Sequence, residues 1–147
     1  MADTASHRSR PITPGQTWTR VFPAHVDQIR HARKVLALAL EGCPAVDDAV
    51  LVVSELATNS ILHSDSRKVG GTFTVHAEIH VGDYVWIEVA DEGGLWEQHA
   101  HRDDRAHGLA IVGELAADWG IEGNPLAGWT VWARLAWQAD NPPAARI

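Results

Sequence analysis

At 147 residues and 46% hydrophobic content, the chain has the length of one ordinary domain and enough apolar side chains for a core. A net charge of -7 with no basic stripe excludes a nonspecific grip on nucleic acid, and no apolar run approaches the roughly 18 residues of a membrane span. One cysteine, Cys43, excludes an internal disulfide, and the polar N-terminus lacks the apolar segment of a secretory signal, so the expectation is a cytoplasmic protein.

Residues 1–15 are small and polar without periodicity and are expected to form a disordered tail. Gln16 to Phe22 alternates enough for a first strand, ended by Pro23. A helix is expected from Ala24 to Glu41, with Val26, Ile29, Ala32, Leu36, Ala39 and Leu40 as its stripe and Gly42 as its stop. Pro44 opens a second helix, and Asp47 and Asp48 suit the positive end of its dipole. Val46, Ala49, Val50, Val53, Leu56, Ala57, Ser60 and Ile61 make its apolar stripe. Glu55 and Asn59 stand one turn apart at the border of that stripe, about 5–6 Å between Cβ atoms.

Thr72 to Val81 alternates, with Phe73, Val75, Ala77, Ile79 and Val81 on one face and Thr72, Thr74, His76, Glu78 and His80 on the other. Gly82-Asp83 turns the chain, and Tyr84 to Ala90 returns with Val85, Ile87 and Val89 inward. The pair is expected to be an antiparallel hairpin with one wet face. Asp91-Glu92-Gly93-Gly94 follows, then a loop from Leu95 to Ala106, whose length suits a lid or binding loop. A third helix is expected from His107 to Ala117, a short strand over Trp119 to Glu122, a turn from Gly123 to Gly128, and a last strand from Gly128 to Trp137. Residues 139–147 are expected to form a C-terminal tail. The domain of residues 16–138 is thus expected to be an α+β, two-layer α/β sandwich: a mixed, mostly antiparallel sheet with three helices on one face. Among seven tryptophans, Trp86 and Trp132 are out of phase with Val85/Ile87 and Val131/Ala133. They point to the helix-free face, either as a cross-strand stack or as the interface of a homodimer or partner.

The polar exceptions to this pattern share one kind of chemistry. A glycine at a helix start, Gly108, lets phosphate approach backbone N–H groups. The strand-end carboxylate Asp91 can accept from an amino group, and the Asn59 carboxamide can hold a Mg²⁺ ion that needs only one or two protein ligands. Glu55-Leu56-Ala57-Thr58-Asn59, Asp91-Glu92-Gly93-Gly94, Gly108-Leu109-Ala110-Ile111-Val112 and Gly128-Trp129-Thr130-Val131-Trp132 resemble, in order, the N, G1, G2 and final-strand motifs of the gyrase–chaperone–histidine-kinase–mismatch-repair ATPases, the Bergerat fold. The resemblance runs from about Trp18 to Trp137 and is nearest to the single-domain anti-sigma-factor serine/threonine kinases.

That resemblance implies ATP and Mg²⁺ as cofactors. It implies that Asn59 ligates the Mg²⁺, Asp91 takes the adenine amino group, Thr130 supports the adenine site and Gly93 passes close to it. Gly108 and Leu109 would meet the phosphates, and Glu55 would be the general base. Leu95 and Ala106 stand where the G1 and G2 patterns usually carry glycine. The implied function is a kinase that phosphorylates a serine or threonine of an antagonist protein and sequesters a sigma factor. The alternatives are a catalytically weak, nucleotide-responsive protein-binding module and a stand-alone histidine-kinase-type ATPase domain.

Overall fold

Period-two alternation decides which side of each strand is buried. The computed structural model describes residues 16–63, 68–93 and 109–137. Within them run β1 (Gln16–Pro23), α1 (Val26–Ala39), α2 (Val46–His63), β2 (Thr72–His80), β3 (Tyr84–Ala90), a helix α3 described over 109–115, β4 (Asp118–Asn124) and β5 (Gly128–Ala136). The five strands form one sheet in the order β1-β2-β3-β5-β4. Every described pair is antiparallel, so the sheet has no parallel member among the described strands. The expected tails, the loop from Leu95 to Ala106, and Gly108 lie outside the described residues.

The odd-numbered residues of β2, β3 and β5 face the helices. Phe73, Val75, Ala77, Val85, Ile87, Val89, Val131, Ala133 and Leu135 are all buried in one core with Leu36 and Leu40 of α1 and Val52, Val53, Leu56, Ala57 and Ile61 of α2. Each fully buried leucine or valine side chain contributes about 1.5–3 kcal/mol over its exposed state, and that gain fixes the register. Helix α3 closes the same face through buried Val112, with Leu109, Leu115 and Ala116 packed at its margin. The expected two-layer α+β sandwich, with its helices on one face, is the architecture observed.

Several boundaries differ from the sequence expectation. Helix α1 is shorter at both ends, because His25 is extended at the N-cap and Leu40 leaves helical geometry at the C-cap. Helix α2 begins at Val46, after a turn in which the Val46 N–H donates to the Cys43 carbonyl, so Pro44 precedes the first helical turn. The buried stripe of α2 includes Val52, while Val50 is only half-buried; the true phase runs Ala45, Ala49, Val52, Val53, Leu56. Val81 sits in the β2–β3 turn and is exposed. Helix α3 ends at 115, because the Ala117 N–H leaves the helix to donate to the Arg134 carbonyl of β5. Strand β4 extends one residue earlier and two later than Trp119–Glu122, since Asp118 and Asn124 both find partners on β5.

The helix-free face departs most from expectation. It was expected to be wet, yet Glu78, His80, Tyr84, Trp86 and Glu88 on it are all buried. Hydrogen bonds link several of them: Glu78 bridges His76 (3.0 Å) and His80 (3.4 Å), and the Trp86 indole N–H donates to Glu88 (2.7 Å), while the buried His80 Nδ1 has no partner. Trp86 and Trp132 stack with centroids 4.6 Å apart and planes 7° off parallel. The Trp132 ring also covers Gly120, where an added Cβ would lie 2.8 Å from its Nε1. The Arg134 guanidinium sits over the Tyr84 ring at 5.8 Å. Of the two expectations for Trp86 and Trp132, the cross-strand stack is realised. Cys43 is buried, and that burial pushes its thiol pKa up although the Ala45 N–H approaches its Sγ at 3.4 Å. No described helix is long and apolar enough to cross a membrane.

Candidate functional site

Two structural units carry most of the residues singled out from the sequence. The first is α2, which lies over β3, with β2 and β5 to either side. Its Asn59 falls on the core-facing side and is only 4% exposed. The Asn59 Nδ2 is buried without a hydrogen-bond partner. A buried, unpaired amide costs about 1–3 kcal/mol, so a position that tolerates one is unusual in a native core. Glu55 stands one turn earlier on the same helix and is half-buried. Between them, the Thr58 hydroxyl donates back to the Ser54 carbonyl at 2.7 Å and is thereby occupied.

The second unit is the end of β3. Asp91 continues the inward phase of Val85, Ile87 and Val89. Its N–H donates to the Trp129 carbonyl (2.8 Å), and its Oδ1 accepts from the N–H groups of Gly93 (2.8 Å) and Trp129 (3.0 Å). The carboxylate is therefore fixed to backbone on both sides. Glu92 points the other way and clamps the start of β2, accepting from the Thr72 N–H (3.1 Å) and hydroxyl (2.8 Å).

Two glycines make the approach of this strand end to the β4–β5 hairpin feasible. Gly93 has φ +92°, and a Cβ there would sit 2.3 Å from the Pro125 carbonyl oxygen. Gly128 has φ +107°, and its Cβ would sit 2.5 Å from the Asp91 carbonyl oxygen. Both contacts are backbone to backbone, so no side chain can swing away. Gly128→Ala is expected to lower stability by about 3 kcal/mol, combining a left-handed backbone with a hard clash. A urea titration that found the variant within experimental error of the wild type would refute that expectation. The hairpin tip is held in turn by Asn124, whose Oδ1 accepts from the Leu126 (2.9 Å) and Ala127 (2.7 Å) N–H groups.

The structure therefore joins Asp91 and Gly93 directly, through Gly128 and Trp129. It places Glu55 and Asn59 together on the helix that crosses β3. Leu109 is partly buried against the shared core, and Gly108 lies outside the described residues. Thr130 is different. It pairs with Ala90, out of phase with the buried Val131 and Ala133, and so lies on the helix-free face opposite Asp91. The residue beside Asp91 is Trp129, which the motif reading passed over. Counting back by twos from Leu135, Ala133 and Val131 would have found it.

An asparagine with a buried and uncommitted amide fits a hard divalent cation, because the side chain can turn its carbonyl oxygen toward the ligand. Among the described residues no group of three or more His, Cys, Asp or Glu side chains is placed to hold a metal. The strand-end carboxylate can accept from an amino group but cannot donate while ionised.

No curated protein matches the chain. The model of the histidine kinase-like ATPase domain matches residues 22–135, from the last core residue of β1 to the last core residue of β5. Both structural units lie inside that match, so ATP is the ligand that membership implies, and the chain belongs to the histidine kinase-like ATPase domain family.

Proposed function

We propose that the chain is an ATP-binding regulator of the anti-sigma-factor type, a protein kinase that phosphorylates a serine or threonine of a small antagonist protein and also sequesters a sigma factor. One observation supports this reading most: a buried, uncommitted Asn59 amide one turn from the Glu55 carboxylate, on the helix that covers the strand leading to Asp91. Asn59 would hold Mg²⁺, which when bound neutralises charge on the phosphate oxygens. Asp91 would accept from the adenine amino group, Gly93 would let the base approach the backbone, and Gly108 and Leu109 would face the phosphates. Thr130 is left out of the base site because it lies on the opposite face of the sheet.

Glu55 is the acceptor for the hydroxyl proton. As the new O–P bond forms on the protein hydroxyl, the bond from the γ-phosphorus to the bridging oxygen breaks. ADP leaves, and the proton passes to the Glu55 carboxylate. A carboxylate at position 55 favours a hydroxyl acceptor, serine or threonine, because a base is needed to activate an unreactive hydroxyl.

The test is calorimetric titration of Mg-ATP into the wild type and Asp91→Asn. The asparagine keeps an acceptor for the Gly93 and Trp129 N–H groups but can set an NH₂ against the adenine amino group. Affinity is expected to fall about 10- to 100-fold, the worth of a hydrogen bond to a charged group. No binding by the wild type would end the proposal. Transfer to a partner that yields an acid-labile phosphate would move the assignment to histidine, and nucleotide binding without transfer would move it to a binding module.

A further inference from the structure

We infer that Asn124 is a positioning residue for the Asp91 carboxylate, and that through the β4–β5 turn it sets how well this site tells a purine with an amino group from one without. The inference rests on the reading of Asp91 as the base-binding carboxylate. Asn124 acts through the backbone and not by contact with the nucleotide.

The Asp91 Oδ1 accepts from the N–H groups of Gly93 (2.8 Å) and Trp129 (3.0 Å). Each donor sits where the hairpin meets the end of β3. The Pro125 carbonyl oxygen lies where a side chain on Gly93 would otherwise be, and Gly128, the neighbour of Trp129, lies against the Asp91 carbonyl. Pro125, Leu126 and Ala127 form the turn that joins these two points. The shape of that turn therefore governs where two N–H groups point, and those groups orient the carboxylate.

Side-chain burial contributes little to the shape. Pro125, Leu126 and Ala127 are all exposed. Gly123 and Gly128, on either side, have positive φ and no side chain to pack. The side-chain bonds come from Asn124, which stands opposite Gly128 at the end of β4. Its Oδ1 accepts from both the Leu126 (2.9 Å) and the Ala127 (2.7 Å) N–H. A short side-chain carbonyl can close a turn on its own following backbone; alanine leaves both N–H groups to water. The turn then samples further shapes, and the Gly93 and Trp129 N–H groups lose their fixed direction. Hydrogen bonds weaken steeply with misalignment, so the cost falls on the contact that Asp91 makes with the base.

The experiment measures binding of Mg-ATP and of purine riboside triphosphate, which lacks the 6-amino group, with far-UV circular dichroism to establish folding. The wild type is expected to prefer ATP by about 10- to 100-fold, the worth of a hydrogen bond to a charged group. Asn124→Ala should bind ATP about fivefold more weakly and the analogue within about twofold of wild type, so selectivity falls. A role in stability alone would weaken both ligands alike. Asn124→Asp keeps the acceptor for both N–H groups and should restore ATP affinity to within about twofold. In an Asp91→Asn background, adding Asn124→Ala should change ATP affinity by less than about twofold, because the two residues act through one contact. If Asn124→Ala fails to fold, Asn124→Gln, which moves the acceptor one methylene outward, serves for the same comparison. Folded Asn124→Ala with the wild-type preference for ATP would overturn the inference. So would an Asn124→Ala effect of full size in the Asp91→Asn background, or an Asn124→Asp no better than Asn124→Ala. Those outcomes leave the reading of Asp91 intact. A wild type that binds the two triphosphates equally would end that reading and this inference with it.

Discussion

Glu55→Gln is expected to reduce phosphoryl transfer by about 10²- to 10⁴-fold, the usual worth of a positioned general base. The amide matches the carboxylate in size and can still make hydrogen bonds, but it cannot take the hydroxyl proton. Because Glu55 lies one turn from Asn59 and not at the strand end proposed to read the base, its loss should leave ground-state binding nearly untouched. The Kd for Mg-ATP should therefore stay within about threefold of wild type, as expected for an interaction made only in the transition state. Single-turnover transfer and calorimetry on the same preparation separate the two quantities. Transfer at the wild-type rate would show that Glu55 is retained for structure. A parallel loss of binding would show that it belongs to the nucleotide pocket itself.

Asn59→Leu should move stability and function in opposite directions. The wild-type amide is 4% exposed and its Nδ2 has no partner, so the folded protein bears a desolvation penalty that leucine, with the same branched skeleton, does not. Relief of about 1–2 kcal/mol is expected. For a domain of this size that raises Tm by about 3–6 °C in the absence of nucleotide. The same change removes the proposed Mg²⁺ ligand. Saturating Mg-ATP should thus stabilise the wild type further, through binding to the folded state alone, and leave the variant unmoved. Melting curves with and without Mg-ATP test both halves. A lower Tm for the variant without nucleotide would mean the amide is satisfied in solution. A nucleotide-dependent rise in the variant would remove Asn59 from the site. Such opposed effects mark a residue kept for activity at a cost to stability.

Much of the fold can be read from the sequence because strand alternation and hydrophobic burial act together. Phe73, Val75, Ala77 and Ile79 on β2, answered by Val85, Ile87 and Val89 on β3, fix a face, a register and a hairpin at once. A stripe on a helix is less decisive, since a neighbouring residue differs by only 100° of rotation. Val50 and Val52 stand about 60° and 100° to either side of Val53, and only burial shows that Val52 is the core member. The helix-free face was misjudged for another reason. Glu78, His80 and Glu88 look solvated by composition, yet Glu78 bonds to His76 and His80, and Glu88 accepts from Trp86, each two residues along its own strand.

At the site, the sequence gives the residue types Glu55, Asn59 and Asp91 but not their commitments. That Asp91 is bound by two backbone N–H groups, and that the amide of Asn59 is not, are facts of packing between segments far apart in the chain. Trp129 was within reach of the sequence. The phase argument that puts Trp132 on the open face puts Thr130 there too, and leaves Trp129 on the side of the helices.

An exposed hairpin tip is ordinarily the first place chosen to graft an epitope or split a chain, and Leu126 at 96% exposure looks like such a place. Here the neighbouring Pro125 carbonyl is seated against Gly93, and Gly128 closes the same seam from the other side. The tip is a keystone on one flank and an open surface on the other. A label inserted between Pro125 and Gly128 would wedge apart the two backbones that meet at Asp91.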